Sequence, residues 1–227
     1  MANPIFCAVD RPDLEGTLAL ARALAPHVGG IKLGLEFFTA QGPRGVEAVA
    51  ALGLPIFLDL KLHDIPNTVA GAVREVARLG VAYLTVHASG GRAMLEAAAS
   101  VPGRPSLLGV TVLTSLDAAD LAELGIVASP DQHALRLARL AVAAGLEGLV
   151  CSPLEIAALR HALGPVPKIV VPGIRPGDAG DDQKRVLAPA EALALGADLL
   201  VIGRPITRAP VPAEAAAGLV RGLRPAA

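Results

Sequence analysis

The chain repeats one alternation eight times: a short β-type run, then an Ala/Leu-rich stretch with helical spacing. The β-type runs fall at 4–10, 30–35, 55–62, 83–88, 107–114, 148–152, 168–174 and 199–206. Segments such as TLALARALAPHV, NTVAGAVREVARLG and DQHALRLARLAVAAG lie between them. Gly53, Gly80, Gly145 and Gly196 stand just before the next run, where helix C-caps are expected. A helix between two strands carries the chain back across the sheet, so successive strands pair in parallel. Most runs are apolar on both faces, as doubly covered parallel strands are. Eight such units in 227 residues predict an α/β fold, a (β/α)8 TIM barrel forming a single domain over 1–227. No GxGxxG follows the first run and no GxxxxGK[ST] occurs, which argues against open nucleotide-binding sheets. The irregular stretch after the fifth run is expected to hold a short extra helix near 117–124.

Composition narrows the function classes. A net charge of −1, with one Tyr, four Phe and no Trp, lacks the basic surplus and aromatic platforms of a nucleic-acid binder. The longest segment free of Asp, Glu, Lys and Arg is 79–91, shorter than the ~20 apolar residues of a membrane span. MANPIFCAVDRPD has neither the basic start nor the apolar centre of a secretion signal, so a cytoplasmic protein is expected. Cys7 and Cys151 sit in apolar runs without metal-ligand spacing and read as buried core thiols.

In this fold, chemistry sits at the C-terminal ends of the strands, and there the polar residues break the apolar pattern. The first run ends in Asp10, a residue type that also caps helices. The second carries Lys32 inside GIKLGL. The third reads FLDLKLHD: Asp59 and Lys61 share one face, opposite Leu58, Leu60 and Leu62, and that face is the barrel interior. Asp64 follows in HDIPNT. Burying ionised groups costs several kcal/mol unless they are paired, so an active site explains them better than filler does. At the other end, PGIRP and IGRPI put Arg175, Gly203 and Arg204 after the seventh and eighth strands, where such barrels hold phosphate. His63 is expected to face outward or to cap a turn. His87 is read as a satisfied core residue or a contact behind the site.

LDLKLHDIPNTV, together with AVD, IKLG, VTVLTS, PGIRP…DDQ and VIGRPI, resembles the orotidine 5′-phosphate decarboxylase family from Asp10 to about Ile206. The resemblance implies decarboxylation of orotidine 5′-monophosphate (OMP) to UMP, without cofactor or metal, by a homodimer with shared active sites. It makes Lys32, Asp59, Lys61 and Asp64 the charge network around the scissile carboxylate, with Lys61 protonating C6. It implies that Asp64, Ile65 and Thr68 reach into the neighbouring subunit's site. Asp10 and Lys32 then meet the ribose hydroxyls, and Thr114 with Ser115 lies near the pyrimidine. Arg175, Gln183, Gly203 and Arg204 match phosphate-gripping positions, and the 175–183 loop is expected to close over the site. A Mg²⁺-dependent sugar-phosphate decarboxylase or synthase of the same suprafamily is the alternative, with Glu36 as a metal ligand. A non-catalytic phosphate-binding barrel is a third reading, disfavoured because it has no reason to bury like charges beside its ligand.

Overall fold

The computed structural model describes residues 3–175 and 187–223. Eight parallel strands form a closed ring: β1 (Ile5–Ala8), β2 (Gly30–Leu33), β3 (Ile56–Leu62), β4 (Tyr83–His87), β5 (Ser106–Val110), β6 (Gly148–Val150), β7 (Lys168–Val171) and β8 (Leu199–Ile202). Closure is made by β1, which pairs with β2 through Cys7↔Ile31 and with β8 through Phe6↔Val201. All eight expected strands form, and several stop short of their apolar runs. Pro172 has no N–H to extend β7. Beyond Ile202 the chain turns at Gly203 into a short helix, so the end of the eighth run is helical.

The helices α1 (Leu14–Leu24), α2 (Leu35–Ala50), α3 (Pro66–Ala77), α4 (Gly91–Ala99), α5 (Ala118–Glu123), α6 (Pro130–Ala143), α7 (Ile156–Leu163), α8 (Pro189–Ala194), α9 (Arg204–Thr207) and α10 (Pro212–Gly222) follow the strands around the ring. The short helix expected near 117–124 is α5, opened by an Asp117–Asp120 capping box. Gly53 and Gly145 leave their helices at φ 79° and 90°, a region that side chains disfavour. Among the described residues, no helix is long and apolar enough to cross a membrane.

Two apolar regions hold the barrel. The larger lies between strands and helices and includes Leu33, Leu58, Leu84, Leu95, Leu137 and Ile202. The smaller fills the barrel itself. Phe6, Phe57, Leu108 and Val170, one from each odd-numbered strand, pack there with Tyr83 and Val201. Phe6, Phe57 and Tyr83 meet edge to face, with centroids 5.7–6.4 Å apart. Gly30 makes room for this cluster, since a Cβ there would lie 2.2 Å from the Phe6 ring. Cys7 and Cys151 are both buried free thiols, as the sequence suggests. Burial, then the nearby Asp10, pushes the Cys7 thiol up to about 12, so it is inert at neutral pH.

Candidate active site

The alternation on β3 decides what enters the barrel. Ile56 and Leu58 pack outward against helices, while Phe57 belongs to the inner cluster. Asp59 and Lys61 continue the inner face toward the strand's C-terminal end, as the spacing predicts. The Lys61 ammonium lies 2.9 Å from Asp59 Oδ2. The same oxygen lies 3.4 Å from the Lys32 ammonium, which reaches Asp10 Oδ2 at 3.2 Å. Four charges, from the segment just after β1 and from β2 and β3, thus alternate in sign across the barrel mouth. Although burial opposes ionisation of Asp59, Lys32 and then Lys61 hold its carboxyl below the ordinary range.

Asp10 does two jobs. Its Oδ1 accepts the Gly34 backbone N–H at 2.7 Å, at the N-cap of α2, while Oδ2 takes Lys32. Asp10 is therefore not a helix cap: Asp13 caps α1, α2 has no side-chain cap, and Asp10 meets only the backbone of its N-cap residue. A side chain on Gly34 would put its Cβ 2.3 Å from Asp10 Oδ1 and 3.1 Å from Lys32 Nζ.

Above this array are two adjoining cavities. One, of about 340 Å³, is lined by Asp10, Lys32, Gly173, Arg175, Gly203 and Arg204, with Arg11 and Arg208 beside them. The other, of about 160 Å³, is lined by Lys32, Asp59 and Lys61 and by Phe57, Val110, Val112, Thr114, Val150 and Cys151. Lys32, Pro172 and Val201 border both, so a strongly cationic chamber adjoins a mainly apolar one across the charge array.

A cationic chamber beside an apolar one suits an anion with an apolar part, and comparison with known proteins gives the chain a family. A profile described as "Orotidine 5'-phosphate decarboxylase / HUMPS family" matches residues 3–219. The chain belongs to this family. An orotidine 5′-phosphate decarboxylase from Anaeromyxobacter sp. (strain K) is 55% identical over 221 residues, covering 96% of this chain and 97% of the relative. One from Thermobifida fusca is 53% identical, covering 99% and 97%. The crystal structure of orotidine 5′-phosphate decarboxylase from Lactobacillus acidophilus superposes with a TM-score of 0.86 at 33% identity, covering 98% of this chain and all of that one.

The remaining residues that the decarboxylase family pattern singles out are scattered by the single chain. Thr114 lines the apolar cavity, from a turn beyond β5 rather than from its end, because the ladder stops at Val110. Ser115 is exposed next to it and lines neither cavity. Asp64, Ile65 and Thr68 are exposed around the N-terminus of α3, and Asp64 Oδ1 accepts the Ile65 N–H rather than meeting Lys61. Gln183, and the loop beyond Arg175, lie outside the described residues. Glu36 is exposed on the first turn of α2 and lines neither cavity. Among the described residues, no three His, Cys, Asp or Glu side chains gather as a metal-holding group.

His63 is exposed, as expected, with its ring 5.5 Å from that of His87. His87 is not a satisfied core residue: its Nδ1 is buried without a hydrogen bond, and burial holds the ring below the ordinary histidine range. Sequence reasoning missed three contributors. Arg208 follows Arg204 by one helical turn, a usable signal; Arg11, adjacent to Asp10, carried none. Thr85, fully buried on β4, contacts both Asp59 and Lys61.

Proposed function

We propose that this chain decarboxylates OMP to UMP and CO₂, as a cytoplasmic homodimer with composite active sites. The observation that carries the reading is the Lys32–Asp59–Lys61 array, buried at the junction of a cationic and an apolar chamber. The phosphate occupies the chamber of Arg175, Gly203 and Arg204, and the pyrimidine occupies the apolar one beside Thr114. Asp10 and Lys32, between the two, meet the ribose hydroxyls. Gln183 is a further phosphate contact, and Ser115 adjoins the ring.

Breaking the C6–carboxylate bond leaves an electron pair on C6, in the ring plane, without a π system to receive it. The site must stabilise that charge electrostatically. Asp59 beside the substrate carboxylate adds like-charge repulsion of about 4 kcal/mol at 4 Å and an effective dielectric of ~20. Enzymes lower barriers by up to ~23 kcal/mol, so repulsion is a minor contribution. The Lys61 ammonium supplies the larger one. It stabilises the developing anion, then donates its proton to C6 as CO₂ departs, and regains a proton from solvent. Binding energy from the remote phosphate is spent on organising this centre.

The homodimer reading follows from the resemblance to the decarboxylase family, and the exposed Asp64–Thr68 segment supports it. Ile65, 67% exposed, would be covered by the partner in such a dimer. Asp64 then completes the array around a partner's Lys61.

The test is loss of the OMP ultraviolet absorbance on adding purified protein, with and without EDTA. The expected result is rapid conversion to UMP that EDTA does not affect. A folded dimer that leaves OMP intact refutes the reading. EDTA-sensitive turnover of a sugar phosphate would return the assignment to the Mg²⁺-dependent relatives.

A further inference from the structure

The β3–β4 ladder is irregular where the chemistry sits. It runs Phe57↔Tyr83 and Leu58↔Leu84, then resumes at Leu62↔Val86. Asp59, Leu60 and Lys61 therefore face a single β4 residue, Thr85. Within this bulge Lys61 has φ 49°, and it is the only non-glycine residue with positive φ among those described. L-residues occupy that region unwillingly, so surrounding contacts must hold it.

The Thr85 side chain provides those contacts. It is fully buried, and its Oγ1 accepts the Lys61 backbone N–H at 2.9 Å, the group that the bulge removes from the regular ladder. The hydroxyl has one proton, and with Oγ1 accepting from Lys61 it points at Asp59 Oδ1, 2.9 Å away. Asp59 Oδ2 then holds the Lys61 ammonium at 2.9 Å. A closed circuit results: Lys61 N–H to Thr85, Thr85 O–H to Asp59, and Asp59 back to Lys61 Nζ.

We infer that Thr85 is a positioning residue for the decarboxylation, fixing Lys61 and Asp59 relative to one another through its hydroxyl; this rests on the reading proposed above. It touches neither cavity, so it acts through those two residues and not on substrate. Displacing a reacting group by an ångström costs about a hundredfold in rate. Loss should therefore fall on kcat, with nucleotide binding spared.

The experiment compares the unaltered enzyme with Thr85→Val, which swaps hydroxyl for methyl at constant shape, and with Thr85→Ser, which keeps the hydroxyl. Thr85→Val should lose about a hundredfold in kcat, with KM and the UMP dissociation constant within about threefold. Thr85→Ser should keep kcat within about fivefold. If Thr85→Val does not fold, Thr85→Ala replaces it with the same expectation. Amide exchange at Lys61, read by NMR, gives a measure independent of turnover. Protection should persist in Thr85→Ser and fall at least about tenfold without the hydroxyl. Equal losses for Ser and Val, an unchanged kcat in Val, or unaltered Lys61 amide protection overturns the inference. If the unaltered enzyme leaves OMP intact, the decarboxylase reading fails, while amide exchange still decides whether Thr85 holds the bulge.

Discussion

Replacing Asp59 with Asn tests whether the charge array behaves as a buried network. Asn keeps the shape and, through its oxygen, an acceptor for the Thr85 hydroxyl; it removes the charge and turns an NH₂ group toward the two ammoniums. Two ammoniums, 2.9 and 3.4 Å from the lost carboxylate oxygen, then face each other. At those distances each attraction is worth about 5–6 kcal/mol at an effective dielectric of ~20. Desolvation offsets much of that gross figure, and removing one partner of a buried pair typically costs about 3–5 kcal/mol. Lys32 keeps Asp10 at 3.2 Å and the Lys61 side chain is 30% exposed, so the lower end applies. For a chain of this size, about 3 kcal/mol lowers Tm by about 6–12 °C. Thermal unfolding followed by circular dichroism, at pH 7 and fixed protein concentration, measures it. The gap between the two proteins should also have a defined pH dependence. Asp59 has a folded pKa below its ordinary 3.8, so its contribution is complete above that value and lost as pH falls through the depressed one. The gap should stay level from pH 7 to about 4.5 and shrink only in stronger acid. A Tm change under about 2 °C would refute the reasoning and place these ion pairs with solvated surface pairs.

Lys61→Ala should abolish turnover while UMP binding persists; activity within about tenfold of the unaltered enzyme would exclude the proton-donor role. Mixing inactive Lys61→Ala with inactive Asp64→Ala protein should restore part of the activity, because one site of each hybrid dimer carries neither lesion. No recovery despite demonstrated subunit exchange would count against composite sites. Gly203→Ala should fold normally, since its Cβ would meet nothing nearer than Ala8 Cβ at 3.4 Å. It should nevertheless raise KM for OMP by about tenfold by narrowing the cationic chamber, and an unchanged KM would remove phosphate from that chamber.

The barrel was legible because its strands are short apolar runs punctuated by helices and glycines, a pattern that survives without any knowledge of pairing. Strand ends were less so: hydropathy continues past the ladder at Val171 and Ile202, while Pro172 and Gly203 end the pairing. Asp59, Lys61 and Lys32 stood out as charges in apolar runs, and the structure brings all three within one ion-pair array. Thr85 did not, because a β-branched residue inside YLTVHA is what strand propensity favours. The bulge around Lys61 was equally hidden, since register depends on two strands and a sequence displays one at a time.

The interlocked rings of Phe6, Phe57 and Tyr83 have a consequence for traffic through the molecule. They stopper the barrel beneath the charge array, making it a well with one opening rather than a tube. Anything that enters the barrel mouth, and anything that leaves it, passes the same rim, on the side of Arg175 and Arg204. Entry and exit therefore compete for a single opening, and a bound product blocks the next substrate until it has left.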